Sequence, residues 1–209
     1  MNYIEGTPRP PNNCKLKELH DYFTAEDGGA YPHAYAGYPQ RGEMVARVAS
    51  VICAKDEPVL ELGCNIGRNL QGMLLAGYTN LSGVEINPAS RIAMQEVYPE
   101  LAQIIKLNTA PIESVITFMP TNSYGLVFTM TVLMHIHPDS TWIFPHIARI
   151  AKKLLTIENE RADTRARWSR DYGRIFRGLG ATEIYREKVS LSSPKTKYTL
   201  RLFDCEGIG

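Results

Sequence analysis

The sequence lacks the features that mark several specialised classes of protein. Its four cysteines, Cys14, Cys53, Cys64 and Cys205, include no C-x-x-C pair, so neither a zinc site nor a disulfide framework is predicted. The N-terminal segment contains no basic stretch leading into an apolar run, and no apolar run approaches membrane-spanning length. We therefore expect a cytoplasmic protein with reduced thiols and no membrane partner.

An excess of charge of one sign is also missing. Lysine and arginine number 23 and aspartate and glutamate 22, so the chain has no overall field that would draw it onto nucleic acid. Hydrophobic residues make up 44% and charged residues 22% of the 209 residues, as in ordinary globular domains. These numbers favour a small-molecule substrate and disfavour a nucleic-acid partner. They leave the oligomeric state open, a homodimer included.

The chain is predicted to consist of an N-terminal arm and one domain. Prolines and glycines divide residues 1–40 into turns and short pieces, which is typical of an arm or lid. Residues 41–209 carry the regular patterns of a folded domain. Within it, apolar runs typical of strands alternate with helical patterns, and these runs lie at 59–62, 81–86, 103–107, 124–130 and 153–158.

This alternation predicts a doubly wound α/β fold. Strands separated by helices pair in parallel through right-handed crossovers, which places helices on both faces of one sheet. Two further strands, at 183–190 and 197–203, have no helical pattern between them and are predicted to form a C-terminal antiparallel hairpin. The result is a mostly parallel, seven-stranded sheet with its ligand site at the carboxyl ends of the strands.

A basic helix is predicted at 165–179. Its apolar positions keep helical spacing, and so do four arginines that would share one face, Arg167, Arg170, Arg174 and Arg177. Such a face could bind the phosphate of a nucleotide sugar or of RNA, or it could simply be solvated. The sequence leaves these alternatives open.

The strand at 59–62 leads into a glycine turn. Gly63 and Gly67 are spaced G-x-x-x-G, and Asn65 stands where a dinucleotide-binding turn has its second glycine, which disfavours a pyrophosphate ligand. Glu85 stands at the end of the next predicted strand. A carboxylate there can accept hydrogen bonds from both hydroxyls of a ribose. Together, the turn and the acid predict a nucleoside ligand.

Two segments, Glu61-Leu-Gly-Cys-Asn-Ile-Gly and Val84-Glu-Ile-Asn-Pro, resemble motifs one and two of class I S-adenosylmethionine-dependent methyltransferases. Together with the segment LVFTMTVLMHIHP, these motifs are similar to those of methyltransferases associated with pseudaminic acid biosynthesis. The resemblance implies a Rossmann-like methyltransferase fold and S-adenosyl-L-methionine as the cofactor. The sequence departs from the pattern at Cys64 and Asn65, where many members have a further glycine.

The resemblance also implies a set of cofactor contacts. Glu61 and Gly63 would border the methionine part, Glu85 would hold the ribose, Ile86 would pack on the adenine and Asn108 would contact its amino group. Tyr31, in the arm, and Arg41, directly after it, could close over the cofactor, with Arg41 pairing to its carboxylate. The full set of implied cofactor residues is Glu61, Gly63, Cys64, Asn65, Gly67, Glu85, Ile86, Asn108, Thr109, Thr129, Met130, Tyr31 and Arg41.

Two residues are candidates for catalysis. His135 follows the fourth strand, and a neutral imidazole there could accept the proton that a hydroxyl or amine releases on methylation. Glu158 ends the fifth strand and could orient the same group. His135 and His137 have no cysteine nearby in sequence, and Asp139 is the single acidic residue close to them, so no metal site is predicted.

These observations predict methyl transfer from S-adenosylmethionine to an oxygen or nitrogen of a small polar metabolite, for example a sugar or nucleotide sugar. Two alternatives stay open. One is a methyltransferase that acts on RNA or protein and docks it on the basic helix, and the other is a non-catalytic scaffold that binds an adenosyl ligand.

Overall fold

Seven strands in the described part of the chain form one sheet. The computed structural model describes residues 8–25, 31–161, 163–191 and 197–208. The strands are β1 (Val59–Leu62), β2 (Leu81–Glu85), β3 (Lys106–Thr109), β4 (Tyr124–Met130), β5 (Ala151–Glu158), β6 (Thr182–Val189) and β7 (Tyr198–Asp204). Their order across the sheet is β3-β2-β1-β4-β5-β7-β6.

The pairing confirms the predicted mostly parallel sheet. β1 pairs in parallel with both β2 and β4, while β2 pairs with β3 and β4 with β5 in the same sense. β7 pairs antiparallel with β5 and with β6, which is the predicted C-terminal hairpin. The strand order reverses between β1 and β4, so the carboxyl ends of these two strands flank the crevice in which such sheets bind ligands.

Helices cover both faces of this sheet. The α-helices are α1 (Leu16–Thr24), α2 (Gln40–Ala49), α3 (Arg68–Leu75), α4 (Ala89–Val97), α5 (Pro99–Ile104), α6 (Ile112–Val115), α7 (Ile143–Ile150) and α8 (Tyr172–Gly178). Alternate side chains of β4 enter different cores: Phe128 lies in the core formed with α2 and α3, and Val127 in the core formed with α7 and α8. None of the described helices is long and apolar enough to cross a membrane.

The predicted helix at 165–179 is wrong in its first half, because α8 begins only at Tyr172. Asp171 caps α8 by accepting a hydrogen bond from the Arg174 N–H at 3.0 Å. In the residues before Asp171, the backbone makes hydrogen bonds outside any helix, since the Trp168 N–H donates to the Met134 carbonyl at 2.9 Å. The four arginines therefore do not share one helix face.

Arm residues lie over the carboxyl ends of the strands. His137, in the loop after β4, contacts the Cys14 carbonyl oxygen through Nε2 at 2.9 Å. His20 Nε2, on α1, lies 3.4 Å from Glu113 Oε1. A short 3₁₀ helix at Pro32–Ala36 follows before α2 begins at Gln40. The boundary between arm and domain at residue 40 stays a prediction.

Candidate functional site

The turn after β1 is built around Gly63. Its φ is +70°, a left-handed conformation that favours glycine, and a Cβ added there would lie 2.5 Å from Val132 Cγ2. The Gly63 and Cys64 N–H groups both donate to the Val84 carbonyl, at 2.8 and 3.1 Å. These contacts hold the turn after β1 against β2, with the Gly63 backbone facing an open cavity.

Glu85, the last residue of β2, holds the same turn from the other side. Its Oε2 accepts the Asn65 N–H and its Oε1 accepts the Asn87 N–H, each at 2.8 Å. The residue is buried, and burial raises the pKa of its carboxyl group despite these bonds. A carboxylate has about four acceptor positions, so Glu85 keeps capacity for hydroxyl donors on the cavity side.

The loop after β4 is strained, and Glu158 holds it in place. Thr131 has a φ of +61°, a conformation that a β-branched residue adopts only when its surroundings impose it. Glu158 Oε1 accepts from Thr129 Oγ1 and from the Val132 N–H, both at 3.0 Å, and Oε2 accepts from the Met134 N–H at 3.3 Å. Burial raises the pKa of this carboxyl to about 7.

His135 lies on that loop with its tautomer fixed by one contact. Its Nδ1 is 2.6 Å from the Ala166 carbonyl oxygen, and because a carbonyl can only accept, Nδ1 carries the proton and Nε2 the lone pair. Burial, together with the charges of Arg9 and Arg167, lowers the pKa of His135 to about 3 despite the opposing hydrogen bond to Ala166. The imidazole is therefore neutral near pH 7.

These elements surround one cavity of about 410 Å³, within the range of small-molecule sites. Helix α1 and the residues before α2 form one wall, and the turn after β1, the end of β2 and the loop after β4 form the others. Of the residues implied by sequence, the structure brings seven together in the lining: Arg41, Gly63, Asn65, Glu85, Ile86, Met130 and His135.

Other predicted site residues lie outside that lining. Glu61 is buried and accepts from Asn69 Nδ2 at 2.7 Å. Thr129 is buried, and its hydroxyl donates to Glu158. Neither Glu61 nor Thr129 therefore lines the cavity. Glu158 itself was expected to contact substrate. Its oxygens already accept three hydrogen bonds from residues of β4 and the following loop, and this placement instead favours a role in holding the loop.

The remaining predicted site residues also lie outside the cavity lining, each because of its local structure. Cys64 is buried beneath the turn, where its Sγ would lie 2.6 Å from a Cβ added at Gly83. Gly67 is the N-cap of α3, with a φ of +79°. Asn108 and Thr109 are exposed on the edge strand β3, and Tyr31 is 49% exposed beside His33. We therefore expect direct cofactor contacts from the lining residues rather than from these.

Sequence reasoning missed several lining residues. Arg68 directly follows the glycine turn, a position that could have indicated it. Arg167 had been placed on a helix face that does not exist, and Arg9 lies in a proline-rich segment whose pattern gives no indication of a site. Tyr198, at the start of β7, and Glu113, on α6, reach the cavity only through the tertiary fold.

Among the residues for which side chains are described, no group of three or more histidine, cysteine, aspartate or glutamate residues could hold a metal ion. The basic side chains and two carboxylates of the cavity instead present hydrogen-bond donors and acceptors suited to an organic ligand.

Comparisons with known proteins agree with this architecture. Residues 60–154 match the family described as methyltransferase domain. The solved structure of magnesium protoporphyrin IX methyltransferase from Synechocystis PCC 6803 with bound SAH is similar at a TM-score of 0.71 and 14% identity, covering 91% of this chain and 99% of that chain.

A second similar structure is the 1,6-didemethyltoxoflavin-N1-methyltransferase of Burkholderia thailandensis, with bound 1,6-didemethyltoxoflavin and S-adenosylhomocysteine. It has a TM-score of 0.67 and 14% identity, and the match covers 97% of each chain. The comparison with curated protein sequences gives no significant match. At these identities the structural likeness shows the fold, and the match at 60–154 supports a methyltransferase.

Proposed function

We propose that this protein is an S-adenosylmethionine-dependent methyltransferase that methylates an oxygen or nitrogen of a small polar metabolite. The observation that carries the proposal is the convergence of Gly63 and Glu85 on one cavity at the carboxyl ends of β1 and β2. This is where a sheet of this order binds a nucleoside ligand. The match of residues 60–154 to a methyltransferase domain supports the same ligand.

The lining residues fit the chemical groups of this cofactor. Glu85 would accept the ribose hydroxyls, and Ile86 would pack on the adenine. Arg41 stacks over Tyr38 at 4.9 Å, and its buried Nε has no hydrogen-bond partner in the described structure, so a carboxylate would satisfy it. When bound, S-adenosylmethionine supplies an electrophilic methyl group on its sulfonium.

His135 would act on the acceptor. Its Nε2 lone pair can accept a hydrogen bond from the hydroxyl or amine that is to be methylated. With a pKa of about 3, the imidazole is a weak base, so it would align the nucleophile more than deprotonate it. Alignment in a site that excludes water can supply most of the acceleration of such a transfer.

The enclosure of the cavity favours a small acceptor. Phe23 of α1 packs edge-on against the His135 ring at 5.3 Å between centroids, so the arm region covers the side where the acceptor would bind. The four arginines on which an RNA or protein substrate was expected to dock do not share one helix face. Turnover separates a non-catalytic scaffold from an enzyme, and salt-sensitive RNA binding would favour an RNA substrate.

Calorimetric titration with S-adenosylhomocysteine, with NAD as the parallel ligand, tests the cofactor assignment. We expect binding of S-adenosylhomocysteine alone. Glu85→Ala should weaken it at least 100-fold, because the ribose hydroxyls lose their acceptor and the turn after β1 loses its anchor at the Asn65 N–H. Glu100→Ala, at an exposed glutamate of α5, is the matched control and should bind normally. Binding of NAD alone, or of neither ligand, would contradict the proposal.

A further inference from the structure

The cavity carries an excess of positive charge. With the histidines neutral, its arginines outnumber its carboxylates by two; the charged lining residues are Arg9, Arg41, Arg68, Arg167, Glu85 and Glu113. The proposed cofactor adds a sulfonium and an ammonium against one carboxylate, so it does not remove this excess. A second ligand that binds beside it should therefore be an anion.

None of these four arginines forms an ion pair with a carboxylate among the described residues, and two of them, Arg9 and Arg167, act on one another. The Arg167 Nε is buried without a hydrogen-bond partner in that part of the chain. Burial lowers the pKa of the Arg167 guanidinium, and the positive charge of Arg9 lowers it further. The two cations are thus near enough to repel one another, which an anion bound between them would relieve.

The local fold fixes Arg167 beside His135. Ala166 accepts the His135 Nδ1–H through its carbonyl, and the next residue is Arg167. Arg167 is held in turn by its backbone, which exchanges N–H···O bonds with Thr164 at 2.9 and 3.3 Å. The Arg167 carbonyl also accepts from Asn12 Nδ2 at 3.0 Å. The acceptor side of the cavity therefore carries a preformed cationic group.

The other two arginines, Arg41 and Arg68, lie beside the glycine turn. Arg68 directly follows the glycine turn, and its guanidinium donates to the Asn69 side chain at 3.3 Å and to the Tyr35 carbonyl at 3.4 Å. Burial lowers the pKa of the Arg68 guanidinium, and the positive charge of Arg41 lowers it further. Arg41 and Arg68 thus lie where the methionine carboxylate of the cofactor would bind.

We propose that Arg9 and Arg167 form a subsite for a phosphate group of the methyl acceptor, so that the substrate is a phosphorylated small molecule. Tyr198 also lines the cavity, near enough to Arg167 for the two side chains to interact electrostatically, and could donate a further hydrogen bond. A phosphate carries close to two negative charges near pH 7, which matches two guanidinium groups. A single carboxylate would leave one of them uncompensated. This inference rests on the proposed function, because that function assigns the His135 side to the acceptor.

Inorganic pyrophosphate is the probe for this subsite, titrated calorimetrically into protein saturated with S-adenosylhomocysteine. Arg9→Gln and Arg167→Gln should each weaken pyrophosphate binding at least tenfold and leave the affinity for S-adenosylhomocysteine within about twofold. The matched control is Arg165→Gln, an exposed arginine of the same segment, which should change neither affinity. Thermal melting of each variant checks that it folds. If Arg167→Gln does not fold, Arg9→Gln alone tests the proposal.

Each contrary result has a distinct meaning. Absent pyrophosphate binding, or binding that both variants retain, would overturn the subsite while the cofactor site stands. Loss of S-adenosylhomocysteine affinity in the two variants would instead assign the arginines to the cofactor. Succinate that binds as tightly as pyrophosphate would overturn the choice of phosphate. Failure of the unmodified protein to bind S-adenosylhomocysteine would overturn the proposed function itself.

Discussion

Glu61 should make the stability of the protein depend on pH. The residue is 1% exposed in β1; one carboxyl oxygen accepts from Asn69, and the other is buried with no hydrogen-bond partner in the described structure. Burial raises its pKa from 4.5 to about 8, with the charge of Glu85 adding to the rise against the opposing effects of Asn69 and Arg68.

The direction of the effect follows from proton uptake on folding. Above pH 4.5 the unfolded chain holds Glu61 ionised, whereas the folded protein keeps it protonated up to about pH 8. The folded state binds more protons, so the stabilising contribution of the protonated group is lost as pH rises through this interval. At about 1.4 kcal/mol per pKa unit, the loss is on the order of a few kcal/mol.

Glu61→Gln isolates this contribution because an amide resembles the protonated carboxyl and does not titrate. We expect the variant and the unmodified protein to have similar unfolding free energies at pH 5, and the variant to be more stable by a few kcal/mol at pH 8. Denaturant unfolding at several pH values measures the difference, in which the contributions of other groups cancel. A difference between the two proteins that stays constant from pH 5 to 8 would refute the reasoning.

Two further predictions concern the loop after β4. Glu158→Gln should gain stability relative to the unmodified protein as the pH rises from 5 to 8, because burial raises the folded-state pKa of Glu158 from 4.5 to about 7 and the amide does not titrate. The amide nitrogen facing the Met134 or Val132 N–H lowers the unfolding free energy of the variant by an amount that does not depend on pH. Denaturant unfolding at both pH values beside Glu100→Gln measures the change, and a difference that stays constant would contradict it. His135 should show no titration by NMR between pH 5 and 8 in the ligand-free protein, because its pKa is about 3, and a midpoint near 6.5 would show that the ring is solvated.

The strand pattern was predictable because each central strand is buried on both faces. β1 and β2 are buried throughout, and such strands produce short, mostly apolar segments that sequence alone displays, here interrupted by Glu61 in β1 and by Ser82 and Gly83 in β2. The segment at 163–171 was not predictable in the same way. Its apolar and basic residues keep helical spacing, yet its backbone bonds go to Met134 and within the turn at Thr164, and these tertiary contacts override a local pattern.

Similar limits apply to the site. The glycine turn and Glu85 could be identified because they need particular residue types at a particular spacing. Arg9 and Tyr198 could not, because they lie near opposite ends of the sequence, far from Gly63 on either side, and meet only in the folded cavity. Glu158 was identified as a residue at the right edge of the sheet, but its function depended on which donors surround it.

The buried carboxylates share one structural principle. Glu85 ends β2 and accepts from the turn that follows the neighbouring strand β1. Glu158 ends β5 and accepts from the loop that follows the neighbouring strand β4. In each case an acid at the end of one strand fixes the backbone of the adjacent loop, including the strained Thr131, and its burial raises its pKa. Both loops line the cavity, so the unfavourable burial of two carboxylates maintains a preformed site for ligand binding.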